Sequence, residues 1–204
     1  MLADPGRHEA VSQTHGKDIL MPRKRWTLLV VAAAVVALAA TAAFAYPDRL
    51  LLRRVKHATD KYHNVETAKT AGYGLLLDAQ GIACIDMPRQ GAMGVHYVNG
   101  DLVGDGAIDA LKPEAMVYEP GPGTKLRLVA VEYVVFKADW DKNHRSRPRL
   151  FGRKFDLTGS DNRYGLPAFY SLHAWVWRDN PAGTFAMWNP RVHCPGSGGS
   201  HGGH

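Results

Sequence analysis

Residues 126–136, LRLVAVEYVVF, place Leu126, Leu128, Ala130, Glu132, Val134 and Phe136 on one parity and Arg127, Val129, Val131, Tyr133 and Val135 on the other. Side chains of a strand point alternately to opposite faces, so this strand is apolar on both and belongs in the middle of a sheet, with Glu132 turned inward. The preceding MVYEP and a Gly/Pro-rich turn make the two runs a hairpin. The run AFYSLHAWVWRDN sets Tyr170, Leu172, Ala174 and Val176 against Phe169, Ser171, His173, Trp175 and Trp177, so His173 shares its face with large aromatics. GAMGVHYVNG, residues 91–100, has the pattern of a half-buried strand that ends in a turn and carries His96.

Upstream the period changes from two to that of a helix. Over residues 49–71, Leu51, Val55, Ala58, Tyr62 and Val65 fall on one stripe, and Gly72 and Gly74 end it. At 100° per residue Glu66 lies about 60° from the stripe's centre and His63 just beyond it; Lys69 also lands near the centre, so the stripe drifts or stops there. These elements predict an α+β domain, with an N-terminal helix packed on a mainly antiparallel sheet that can curl into a small barrel.

Before that domain comes a different kind of segment. Residues 22–46 run from Arg23, Lys24 and Arg25 through an uncharged apolar stretch to Ala43, Phe44 and Ala45, the order of an export signal peptide. Residues 26–45 are also long enough to remain as a membrane anchor, and both readings stay open. Residues 1–20 are then a short extension or a mis-assigned start ahead of Met21, residues 21–45 the signal or anchor, and residues 46–194 a single exported domain. Either way the positive-inside rule puts the domain outside the cytoplasm, whether periplasmic, secreted or anchored facing outward.

Without its first 45 residues the chain keeps 20 Lys+Arg and 16 Asp+Glu among 159 residues. That excess is too small for a nucleic-acid surface and is concentrated in residues 137–154, expected to be a loop. A cationic loop outside a membrane is either simply solvated or a peripheral contact to anionic lipid or cell wall. Cys84 and Cys194 both fall in the exported part, where two distant cysteines are expected to form a disulfide. The tail after Cys194, PGSGGSHGGH, is expected to be disordered, and its histidines to be incidental weak metal binders.

Polar side chains therefore turn inward from several elements: His63 and Glu66 from the helix, and His96, Glu132 and His173 from strands. A buried carboxylate must be paired, protonated or bound to a cation. Two or three histidines with one carboxylate make the ligand set of catalytic zinc and of non-haem iron, and imidazole also suits copper, so a divalent metal ion is the expected cofactor and these five residues its candidate ligands. The His-x-x-Glu spacing puts His63 and Glu66 on adjacent turns of one helix. Each residue taken singly also has a plain structural role open to it: a satisfied core histidine, or Glu132 paired with Arg178.

The blocks KYHNVETAKTAGY, GAMGVHYVN, PEAMVYEP, LRLVAVEYVVF, RLFGRKF and LHAWVWRDNPAGTFAMWNPRV, with the following Cys194, resemble a family of uncharacterised exported bacterial proteins. The resemblance covers residues 58–194. It implies export and one domain, agrees with the disulfide, and supplies no activity. Two function classes remain open. One is a metal-dependent enzyme of unassigned reaction, with Tyr97, Tyr133 or Glu66 as proton-transfer group. The other is an extracytoplasmic module without catalysis that binds a metal or a small molecule against Tyr97, Tyr133, Phe169, Trp175 and Trp177.

Overall fold

The computed structural model of the protein describes residues 48–123 and 125–195; the segments read as extension, signal or anchor, and nearly all of the tail lie outside these. Helix α1 (48–59) ends where the Thr59 hydroxyl donates to the Val55 carbonyl at 2.9 Å, a back-bond of the kind that bends helices. A 3₁₀ turn, Asp60–His63, follows, and then α2, Val65–Thr70. The single helix expected over 49–71 is thus in three pieces. Asn64 is the cause: its backbone is extended and its side chain accepts the Glu66 amide as an N-cap, which starts a new helix with a new phase. Lys69 consequently points to solvent and pairs with Glu66.

The strands are β1 (Gly74–Leu75), β2 (Cys84–Met87), β3 (Gly91–Val98), β4 (Ala115–Pro120), β5 (Leu126–Phe136), β8 (Asp156–Thr158) and β9 (Phe169–Ala174), in the spatial order β1-β3-β4-β5-β9-β8, with β2 also on the outer edge of β3. Every pairing is antiparallel. Short helices α3 (Gly100–Gly104) and α4 (Lys137–Asp141) follow β3 and β5. Among the described residues β1 and β2 do not pair with β8, so the sheet is open and the barrel expected from the strand pattern does not form. The basic stretch expected to be a loop instead begins with α4 and contains a separate two-stranded ribbon, β6 (Arg149–Leu150) with β7 (Arg153–Lys154). Pro148 and Phe151, with Phe155 just beyond, are buried and hold this stretch down.

One face of the sheet carries Tyr97, Tyr118, Tyr133 and Tyr170 in a buried cluster that also contains Val55, Tyr62 and Ala68 from the helical segments. Aromatics of this size can be buried there because their hydroxyls find acceptors: Tyr118 donates to the Tyr62 carbonyl and Tyr133 to the Ala110 carbonyl, both at 2.8 Å. Among the described residues no helix is long and apolar enough to cross a membrane.

Two irregularities set what the opposite face presents. The β2–β3 register slips at Met93, and the β4–β5 register slips at Val129, each leaving one extra residue. A bulge reverses the parity of everything beyond it. Leu128 therefore joins the tyrosine face with Val131 and Tyr133, contrary to plain alternation, while Ala130, Glu132, Val134 and Phe136 keep to the other side. Gly94 makes the first bulge possible, with φ at +104° and the Tyr118 carbonyl oxygen 2.5 Å from where a Cβ would stand.

The chain's C-terminal arm is fastened across this second face. Cys84 and Cys194 form a disulfide over a sequence separation of 110. Asn189 exchanges backbone hydrogen bonds with Ala92 at 3.1 and 3.2 Å, and the arm passes so close that a Cβ on Gly91 would stand 2.1 Å from the Asn189 carbonyl oxygen.

Candidate metal centre

Strand register alone brings two of the candidate ligands together. Glu132 on β5 lies directly opposite His173 on β9. His96 on β3 is separated from Glu132 by β4, whose residues opposite the two are Val117 and Ala115. Alanine at 115 carries only a methyl group, so a carboxylate and an imidazole can close over the intervening strand.

The resulting distances are short. His96 Nε2 lies 3.2 Å from His173 Nε2 and 3.3 Å from Glu132 Oε2, and His173 Nδ1 lies 3.4 Å from Glu132 Oε1. One ligand atom from each of the three residues falls within 4.8 Å of the others, and no other His/Cys/Asp/Glu group of this kind occurs among the described residues. An ion 2.0–2.1 Å from two donors 3.2–3.3 Å apart sees them at about 100–110°, the angle of tetrahedral coordination. Both imidazoles are buried, with side chains 3% exposed.

Burial also decides the protonation states. It pushes His96 down to about 4, outweighing the Glu132 carboxylate, which favours the charged ring, while His173 adds to the lowering. Burial lowers His173 to about 4 as well, with Asp156 pulling weakly the other way. Both rings are therefore neutral at pH 7 and keep a lone pair for a cation. Burial raises Glu132, opposed by His96 and by the Ser171 hydroxyl. The Gly94 backbone also favours the charged form of the His96 ring, and Nε2 is the ring nitrogen that faces His173 and Glu132. The donor set and its spacing fit a divalent ion of the zinc or iron(II) kind.

The structure assembles three of the five residues expected as ligands. His63 is on the 3₁₀ turn, 46% exposed and edge-on to Trp177 at 4.3 Å; Glu66 is 67% exposed and bound to Lys69 Nζ at 2.8 Å. The broken helix directs both to the surface on the tyrosine side of the sheet. Glu132 does not pair with Arg178, whose Nη2 donates to the Arg191 carbonyl. Tyr97 and Tyr133, expected near the chemistry, belong to the tyrosine face, and so does Trp177, because β9 ends at Ala174 before the alternation reaches it. Trp175 stays with the site and stacks on His173, with ring centroids 6.0 Å apart.

His96 and Glu132 open onto a cavity of about 540 Å³. Its walls include Met87, Met93, Met187, Phe169, Tyr164 and Trp188. Asp78 and Arg163 join the two loops that border it: Arg163 Nη2 and Nε donate to Asp78 Oδ2 at 2.7 and 3.2 Å, while Asp78 Oδ1 accepts the amides of Gln80 and Ile82. Except for Phe169, these wall residues were not foreseen as part of a site. Most sit in turns or beside a bulge, where no periodicity marks the direction of a side chain, and nothing in the sequence marks that three of the chain's six methionines come to this cavity. No known protein family, curated protein or solved structure matches this chain.

Proposed function

We propose that the protein is an exported metal-dependent enzyme in which His96, Glu132 and His173 hold one divalent ion. The observation that carries this reading is the buried trio itself, two neutral imidazoles and one carboxyl group at coordination spacing. Two histidines and one carboxylate would leave coordination positions free for water or a substrate, and His96 and Glu132 border the cavity. A bound ion would supply Lewis acidity or a site for activating a small molecule. In this reading His96 and His173 donate lone pairs, Glu132 offsets the ion's charge, and Ser171 steadies the carboxylate. Tyr164 borders the same cavity, and burial together with the charge of Glu132 raises its phenol, so it stays protonated as a donor.

Export is part of the proposal. The disulfide is consistent with an oxidising compartment, and the order of residues 22–46 is that of an export signal.

Elemental analysis of protein from which residues 196–204 have been deleted tests the metal. One equivalent of a transition metal, lost in His96→Ala and His173→Ala, supports the reading; metal-free protein that takes up none on dialysis overturns it. Catalytic potential is tested by substituting cobalt(II) and adding azide. A shift in the visible absorption reports an open coordination position, whereas an unchanged spectrum means a closed site and a binding or carrier protein instead.

A further inference from the structure

The cavity above the trio differs in chemistry from its floor. Besides the three thioethers of Met87, Met93 and Met187, Val98, Val103 and Val134 form part of its wall, with Phe136, Phe169 and Leu166 elsewhere. The charges on that wall are committed or solvated: Arg163 is taken by Asp78, Glu132 by the two imidazoles, and Asp161 is exposed. Away from the proposed ion's seat, a charged body entering this space would lose hydration and find no free counter-charge on the wall. Thioethers are polarisable and adapt their shape, and they make favourable contacts with aromatic rings.

We infer that the ligand acted on at this site is a small organic molecule with an uncharged, largely apolar and aromatic body, which fills the methionine-walled cavity while one polar group reaches His96, Glu132 and His173. The volume suits roughly fifteen to twenty-five non-hydrogen atoms. The inference rests on the metal-site reading for the direction in which the ligand lies; its body is specified by the wall alone. Three methionines in one wall also let a single cavity accept related ring systems, as Met-rich surfaces do elsewhere.

N-phenyl-1-naphthylamine, an uncharged probe that brightens on leaving water, tests this with the metal-loaded protein. Saturable binding of one probe per chain at micromolar concentration is expected, weakened at least tenfold in Val134→Trp, which fills the cavity from the floor strand. Leu166→Trp fills it from the opposite loop, so a folding defect in one variant does not decide the result; cobalt(II) uptake by each variant reports an intact sheet. A probe carrying a sulfonate on the naphthalene should bind at least tenfold more weakly. Absence of saturable binding, indifference to both filling variants, or preference for the sulfonated probe overturns the inference. Metal uptake without probe binding refutes only the ligand class, and probe binding to a chain that holds no metal refutes only the metal reading.

Discussion

Glu132 and His173 are register partners on neighbouring antiparallel strands, and Glu132 Oε1 lies 3.4 Å from His173 Nδ1. Directly opposed residues are where a sheet can hold two functional groups most rigidly, because backbone hydrogen bonds fix both Cα positions. His96 has no such partner and reaches the pair across β4. The candidate site thus has two members set by pairing and a third set by the small residue between them.

Removing any of the three should abolish tight metal binding. Glu132→Gln is expected to weaken zinc at least 100-fold at pH 7, since the amide keeps the shape and loses the charge. Competition against a chromophoric chelator measures this, and wild-type affinity in the variant would exclude Glu132 as a ligand.

The protons released on metal binding report the resting state of the site. With both histidines held at about 4 the imidazoles have no proton to lose at pH 7, and Glu132, raised by burial, is the one member of the trio that can contribute any. Calorimetry in buffers of different ionisation enthalpy should give no more than about one proton per ion at pH 7. Two or more would mean that an imidazole is charged in the apoprotein.

Glu114 is a second buried acid, outside the trio. It is 2% exposed, its carboxylate accepts the Val134 amide at 2.9 Å, and burial raises it to about 8. Between its ordinary value of 4.5 and about 8 the native state holds a proton that the unfolded chain has lost. Its contribution to stability therefore declines as pH rises through that window and is unaffected below it. Glu114→Gln, which keeps the acceptor, should match wild type in thermal unfolding near pH 4.5 and exceed it by up to about 5 kcal/mol at pH 8.5. A pH-independent difference would show that Glu114 is ionised in the fold.

Gly94 combines a left-handed backbone with a close approach of Tyr118. Gly94→Ala should cost about 2–4 kcal/mol in urea unfolding and weaken the metal as well, because the bulge that aims His96 begins there. Loss of stability with unaltered metal affinity would detach the bulge from the site.

The disulfide closes a long loop, for which chain entropy gives on the order of 4–5 kcal/mol as an upper figure. Cys84→Ser with Cys194→Ser should lower stability by about 3–4 kcal/mol and accelerate protease cleavage within residues 186–195 before elsewhere. Uniform loss of protection would mean that the arm is held mainly by its other contacts.

The central strands and the trio were legible because burial on both faces of β5 leaves a period-two signal, in which an acid or a histidine stands out. The α+β class followed from the same alternation. What was not legible has particular causes. Asn64 interrupts a stripe that continues in the sequence with nearly helical spacing, so His63 and Glu66 are read as inward and are not. The extra residue at Val129 reverses Leu128, and nothing in LRLVAVEYVVF marks it. Whether the sheet closes depends on its edges, where β1 has two residues and β8 three, too few to carry a pattern. The rest of the cavity wall, beyond the strands, comes from turns and from the C-terminal arm, whose positions are set by single contacts such as Asp78–Arg163 and Asn189–Ala92.

Met187 and Trp188 lie on the fastened C-terminal arm, whereas His96, Glu132 and His173 are brought together by sheet pairing alone. The proposed seat thus rests on β3, β4, β5 and β9, while part of its chamber is held by the arm that the disulfide and Asn189 tie down. Reduction of the disulfide is expected to loosen that arm and expose the trio to solvent without unpairing the strands that carry it.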